Sequence, residues 1–468
     1  MNPNTRSLQS LGEFVASNQV PDAARSVARE AVEDTIGVAV AGAPEEASRM
    51  VRTLARVESP EGPSSVLGTA LRTSPSWAAL ANGTAAHALD FDDMCWATMA
   101  HPSAPLVGAG LAVADARHAS GRALLDGYAV GFEVGAVLGR VLNPDHYENG
   151  WHCTSTIGTI GAAATAARVI GLGPEATARA LAIAASEASG VKANFGTMVK
   201  PLQVGLAARN GVLAAQLAEL GMTASSQALD GTQGLLVAMR ASKRDLSESL
   251  AELGRRWEII DGGISVKLYP SCAATHPTVE TLLDLRREHA IVPESVAEVE
   301  VLVDPLVPTV LVYDRPQTGL EGKFSLHYCA AAALARGEVN LDTFTPISIG
   351  DPLIKRLVER VTMRVDEMLG VEAPSLTQAR ITLRLADGRT FERFAEGARG
   401  YPGRAPTSAE RAEKFLGCAT RVIPDLEARR ALSTLQGLDG LRAVSELTHL
   451  LGSDPPRQTA APSEGLTR

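Results

Sequence analysis

The densest chemistry in the sequence lies in His87-Ala-Leu-Asp90-Phe-Asp92-Asp93, which runs on through Met94-Cys95-Trp96-Ala-Thr98-Met99-Ala to His101-Pro102-Ser103. Three carboxylates crowded together raise one another's pKa unless a cation intervenes. They also follow an apolar helical stretch, and acid at a helix C-terminus opposes the dipole, so the cluster carries a cost that needs a reason. A solvated helix end is the plain alternative. His101 and His276 each precede a proline, which favours the first helical position. Each ring is therefore expected at or near an N-cap, where the dipole keeps imidazole neutral and able to take or share a proton. Simple capping is the alternative there. Lys200-Pro201 repeats the pattern with a cation. A lysine at a helix N-terminus either loses its proton and serves as a base or holds an anion, unless it swings into water. The fourth segment is His146-Tyr147-Glu148-Asn149-Gly150-Trp151-His152-Cys153-Thr154-Ser155-Thr156. Its hydroxyls can cap a helix whose free N–H groups suit a carboxylate. The same aromatic cluster could also be ordinary core.

Helices must position most of these groups. Val27 to Val40 shows apolar residues at helical spacing, opened by Pro21-Asp22 and closed by Gly42. Further helices are expected over Arg122–Leu142, Ile157–Ile170, Glu175–Ala188 and Leu202–Leu220. Gly131, Gly135 and Gly139 stand four apart, a spacing that admits a closely packed neighbour. Beyond about residue 265 the texture alternates. Ala297–Val303, Val361–Val365, Arg380–Leu385 and Thr390–Phe394 read as strands, the last two joined by the Asp387-Gly388 turn. Helices Pro277–His289 and Ser325–Ala335 lie among them, and Ser408–Cys418 and Leu426–Leu451 return to helix. The expected fold is mainly α. Helical stretches at both ends of the chain (1–265 and 398–452) flank an inserted α+β unit (266–397), and a frayed tail follows (453–468).

Composition narrows the classes. The chain has 468 residues with 45% hydrophobic and 21% charged, a globular balance that excludes wholesale disorder. A net charge of −9 and a pI near 5.6 argue against nucleic-acid or anionic-membrane partners. Only seven of the 44 cationic residues are lysine, so each lysine is of interest. The five cysteines are far apart and form no CxxC pair, which points to a reduced compartment and away from zinc or iron–sulfur ligation. Without a signal-like N-terminus or a long apolar run, the expected location is the cytoplasm.

Read together, these segments resemble the MmgE/PrpD family. The resemblance rests on Asn82–Asp93, His101-Pro102-Ser103, Gly150–Gly158, Asn194–Pro201, Ala207–Gly211, Lys267–Cys272, Lys323-Phe324-Ser325 and Lys414-Phe415, in order over nearly the whole chain. It implies a mainly α helical domain built from both ends of the chain, an inserted α+β lid (266–397) and a homodimer, with a cofactor-free cleft between domain and lid for a small di- or tricarboxylate; no metal is expected, since the histidines near Asp90 already have a proton-transfer explanation. Members make or quench a carbanion beside a carboxylate, losing water, losing CO₂ or inverting a centre. By position, the resemblance makes Asp90, His101, Tyr147 and Lys200 the catalytic set, with Asp90 orienting His101. His152, Thr154, Gln203, Lys267 and His276 would bind substrate. Tyr147 and Lys200 match an opposed acid/base pair of the epimerase branch. Two departures stand out. Met99 replaces an arginine of the epimerase pattern, removing a bidentate carboxylate donor. Gln203 stands where a histidine is frequent, and cannot carry a proton at neutral pH.

The leading expectation is a cofactor-independent lyase, with an epimerase as the alternative. A prenyl-diphosphate enzyme would need a further aspartate near Trp96 and Ala97, and none is there. A helical scaffold with a degenerate pocket is the non-enzymatic alternative.

Overall fold

The computed structural model describes residues 7–241, 245–370 and 377–452; the expected tail at 453–468 lies outside the described residues. The protein is mainly α. Helices Asp22–Gly42, Pro75–Ala88, Ser103–Ala116, Gly121–Leu142, Cys153–Ile170, Pro174–Glu187 and Val199–Glu219 pack around one another. Small residues set how closely they approach. At Gly131 an added Cβ would lie 2.0 Å from the Thr165 hydroxyl oxygen and 2.7 Å from the Gly161 carbonyl oxygen. The Cys153–Ile170 helix is thus seated directly on the Gly121–Leu142 helix. Gly135 is different: its Cβ would meet only Ile157, at an ordinary 3.6 Å, so closeness does not require glycine there.

Two short strands, β1 (Ser64–Ser65) and β2 (Arg72–Thr73), pair antiparallel within the region expected to be wholly helical. The main sheet contains β3 (Val296–Val303), β4 (Val361–Val365), β5 (Ala379–Leu385) and β6 (Thr390–Ala395), in the order β4-β3-β5-β6. β3 runs parallel to β4 and antiparallel to β5, and the Asp387-Gly388 turn joins β5 to β6. Val296, Val299, Val301 and Val303 face inward with Ile381 and Leu383, the alternation expected of a sheet with one covered face. Helices His276–Glu288 and Leu326–Arg336 supply the cover.

The C-terminal helices return to the first half of the chain. Ser408–Ala419 packs on Asp22–Gly42, where Lys414 pairs with Asp34 at 2.7 Å and Arg411 with Glu30 at 3.0 Å. The helix expected over Leu426–Leu451 is instead three pieces: Asp425–Gln436, a 3₁₀ turn at Leu438–Gly440 and Ser445–Leu450. Gly437 and Gly440 break it, and the backbone there turns to pair with another segment. Gly121 N–H donates to the Leu441 carbonyl and Val444 N–H to that of Ala119. No helix among the described residues is long and apolar enough to cross a membrane.

Candidate active site

The site is built where the Pro75–Ala88 helix ends. Its last turn holds His87, and the chain then turns sharply through Asp90 in the left-handed region (φ +51°), which aspartate tolerates better than most residues. Lysines from three remote segments meet the carbonyls of this turn. Lys323 Nζ donates to Leu89 O at 2.7 Å, Lys267 to Asp90 O at 2.9 Å and Lys414 to Phe91 O at 2.9 Å. Cations on the free carbonyls at a helix C-terminus satisfy both hydrogen bonding and the dipole. They account for an acidic segment in a place that would otherwise disfavour it.

Asp90 is buried between two ammonium groups, with Lys200 Nζ 2.5 Å from Oδ1 and Lys267 Nζ 2.8 Å from Oδ2. Burial alone would raise its pKa. Lys200 and Lys267 outweigh that and hold the carboxyl well below its usual range. Lys200 also donates to His87 Nε2 at 2.7 Å, and His87 Nδ1 lies 2.7 Å from Asp92 Oδ2. An ammonium has no lone pair, so His87 Nε2 accepts and Nδ1–H donates. Burial and the neighbouring Lys200 keep this ring neutral, its pKa well below normal. The resulting order is Lys267–Asp90–Lys200–His87–Asp92.

His87, Asp90, Asp92 and His101 offer potential ligand atoms within 4.8 Å of one another. The set does not fit a metal. Both oxygens of Asp90 are taken by ammonium groups, and Lys200 occupies the His87 lone pair a cation would need.

A cavity of ≈ 60 Å³ opens against this network. Asp90, His101, Tyr147, His152, Thr154 and Lys200 line it together with Phe195, Phe324, Leu306 and Val310. His101 and Thr154 are joined, the His101 N–H donating to Thr154 Oγ1 at 3.0 Å. Burial and Lys267 push the His101 pKa well below normal. Burial pushes the Tyr147 phenol up, so it keeps its proton. Lys192 lies over the Tyr147 ring, 3.6 Å from its centre, and fixes that face.

Several expectations need correction. The carboxylate beside His101 is Asp92, not Asp90: His101 Nδ1 is 3.6 Å from Asp92 Oδ2 and 3.4 Å from Asp92 O, whereas both Asp90 oxygens face lysines. Lys267 does not line the cavity; it is 1% exposed and reaches Asp90 from behind. Gln203 likewise stands behind His152, with Oε1 2.7 Å from Nδ1. His276 is buried against Tyr269, away from the cavity, with Nε2 3.2 Å from Ser271 O. Both rings do lie beside an N-cap, as expected, with Pro102 the cap after His101 and Thr275 the cap before His276. Lys200 does sit in the first turn of its helix, and the anion it holds is internal.

The roles of His87 and Asp92 were missed. Both lie in the segment densest in ionisable groups, but their link to Lys200 exists only through packing of the Pro75–Ala88 helix on Val199–Glu219. A histidine in the last turn of a helix that is otherwise apolar is the one signal the sequence offers. Phe195 and Phe324 carry no such signal.

The MmgE/PrpD N-terminal domain matches residues 9–247, and the C-terminal domain of the same family matches 269–439. The chain belongs to the MmgE/PrpD family. Within it, the chain is 28% identical to human cis-aconitate decarboxylase over 442 residues, covering 92% of this chain and 90% of the human protein. It is 29% identical to the cis-aconitate decarboxylase-like protein oryM of Aspergillus oryzae over 418 residues, covering 84% of this chain and 86% of oryM. The Aspergillus terreus cis-aconitate decarboxylase is 26% identical over 419 residues, covering 84% of each protein. For an MmgE/PrpD chain of this kind, the buried Asp90–Lys200–His87 network is the geometric centre of the candidate site.

Proposed function

We propose that this protein is a cofactor-independent lyase that decarboxylates a small tricarboxylate, with cis-aconitate the first candidate. The observation that carries the reading is the mixed lining of the cavity, with cationic and apolar side chains next to one another. Lys200 has three N–H donors; Asp90 and His87 take two, leaving one for a substrate carboxylate. Thr154 places the first turn of the Cys153–Ile170 helix at the same cavity, where free N–H groups favour an anion. Phe195, Phe324, Leu306 and Val310 line the same cavity, with Lys200 Nζ 5.3 and 5.2 Å from the Phe195 and Phe324 ring centres, and these apolar side chains offer a carboxylate no partner. A carboxylate held there is poorly solvated, and leaving as neutral CO₂ relieves that penalty.

For cis-aconitate, the bond from the saturated CH₂ to its carboxylate breaks. Its electron pair forms a new C=C bond, and the original alkene pair moves to the far carbon, next to a carboxylate held by Lys200. That carbon takes a proton. His101, neutral at rest, is the group we assign to deliver it, passing on a proton that its ring takes from solvent during turnover, and Tyr147, protonated at neutral pH, faces the same cavity as a second donor. Asp90 holds Lys200 in place, and Lys267 holds Asp90. Residues 266–397 act as the lid in this reading, and the working unit is a homodimer.

The test is incubation of the purified protein with ¹³C-labelled cis-aconitate in D₂O. Released CO₂ and a dicarboxylate bearing one deuterium are expected. Loss of water from a hydroxylated tricarboxylate, with cis-aconitate untouched, would replace decarboxylation by dehydration. Inversion of a dicarboxylate would favour the epimerase alternative, and failure to bind any polycarboxylate would favour a scaffold.

A further inference from the structure

We propose that Gln203 is a positioning residue that locks His152 in its Nδ1–H tautomer, making the Nε2 lone pair the hydrogen acceptor of the cavity. The argument begins with the orientation of an amide. Gln203 Nε2 donates to the Val191 carbonyl at 3.2 Å, so the atom turned to His152 is Oε1, 2.7 Å from Nδ1. An amide oxygen only accepts; Nδ1 therefore carries the hydrogen and a neutral ring has none on Nε2. In water the Nε2–H tautomer is the preferred one, so the lock reverses the default. His152 lines the cavity, and its Nε2 is buried without a hydrogen-bond partner.

The surroundings keep the ring neutral. The groups facing it are Lys200 and His87, which disfavour a positive charge, and Gln203 and Asp90, which favour it; the Phe195 edge packs at 5.0 Å. Burial is the largest influence and, with Lys200, pushes the pKa well below normal. A lone pair cannot hold a carboxylate, which has no hydrogen to offer. The expectation that His152 binds a substrate carboxylate as a donor is thus replaced. An anion that settles at Nε2 brings a proton or drives its uptake from solvent. The inference borrows from the proposed function only the anionic character of the substrate.

Two measurements test it. The first is NMR of ¹⁵N-histidine-labelled protein at pH 7.5, with His152 assigned by comparison with His152→Asn. Wild type is expected to show the Nδ1–H signature and Gln203→Met the Nε2–H signature. A wild-type ring that is Nε2–H or imidazolium, or a signature that Gln203→Met leaves unchanged, overturns the proposal. The second is calorimetric titration with tricarballylate, a saturated tricarboxylate, in buffers of different ionisation heat. Wild type is expected to take up about one proton on binding. Gln203→Glu, which favours imidazolium, takes up none and binds about tenfold tighter through a charge-assisted hydrogen bond. Wild-type binding without proton uptake overturns the acceptor role. If tricarballylate fails to bind while the Nδ1–H signature is present, the proposed function fails and the tautomer lock stands, because the NMR needs no ligand.

Discussion

The lysines show how far single residues could be read. Their scarcity marks each as worth attention, and Lys200, Lys267, Lys323 and Lys414 all converge on residues 87–91. Which atom each one meets was not legible, because the partners lie about 110 to 320 residues away in sequence and are brought close only by packing. Asp90 was legible as functional, but its partner was not: the family resemblance implies His101, whereas two long-range cations claim both oxygens. Asp90→Asn isolates that charge, since asparagine also accepts a positive φ and the turn is preserved. It leaves Lys200 and Lys267 buried without a counter-charge, and breaking such a pair typically costs ~3–5 kcal/mol. Urea denaturation is expected to show a loss of that order with an unchanged slope. His101→Ala is expected to behave oppositely. His101 is partly exposed to the cavity and holds no buried cation, so folding and tricarboxylate binding persist. Turnover of cis-aconitate falls by ~10²–10⁴-fold, as for removal of a proton-transfer group. Steady-state kinetics beside a binding titration check the split between kcat and Kd.

At the scale of elements, apolar periodicity placed the four longest helices and the four strands of the main sheet within a few residues, while helices such as Ser7–Ser17 and Glu46–Glu58 went unread. The exceptions have physical causes. β1 and β2 are two residues each, too short for any alternation to register. The break after Gln436 hides in a helix-compatible stretch because its cost is met by long-range backbone hydrogen bonds to Ala119 and Gly121. What places the site is the contact between Pro75–Ala88 and Val199–Glu219, the helices carrying His87 and Lys200. They touch through Gly205, where an added Cβ would stand 2.1 Å from Thr84 Oγ1 and 2.4 Å from Leu80 O. Gly205→Ala must push the helices apart, and backbone cannot yield as a flexible side chain would. A cost of ~1–3 kcal/mol is expected from overpacking. The same displacement stretches the 2.7 Å Lys200–His87 contact, so KM for cis-aconitate rises along with the loss of stability. Leu202→Ala, on the same helix but half-exposed, is the control: it is expected to lower stability modestly with KM unchanged. Thermal melts and KM values of both variants check this.

For the whole molecule, a mildly acidic composition gives no hint of how many ionisable groups folding removes from water. Burial lowers the pKa of His146 to about 4 and of His276 to about 3, and places His87, His101 and His152 well below normal. Burial raises Glu33 and Glu133 to about 7 and Asp93 to about 8. The two sets act in opposite directions. An unfolded imidazole binds its proton below about pH 6.5 while the folded ring stays neutral, so stability is lost as pH falls from there toward the folded values. Asp90, depressed by Lys200 and Lys267, adds to the acid loss once pH drops below about 4, the unfolded aspartate value. An unfolded carboxyl releases its proton near pH 4 while Glu33, Glu133 and Asp93 keep theirs, so stability is lost as pH rises toward 7–8. Above about pH 6.5 the imidazoles are neutral in both states and only the carboxyl loss remains; below about pH 4.5 only the acid losses remain. Maximum stability is therefore expected between those limits. Glu133→Gln separates the two sides. It removes one raised carboxyl, whose shift from 4.5 to about 7 corresponds to roughly 3 kcal/mol. The variant's stability relative to wild type is expected to climb by that order from pH 4.5 to pH 8, and its melting temperature to fall less steeply on the alkaline side. His276→Asn is expected to gain relative to wild type in the acid direction instead. Melting curves of the three proteins across pH 4–9 check both signs, and a Glu133→Gln difference that is flat with pH would show that this carboxyl titrates normally in the folded protein.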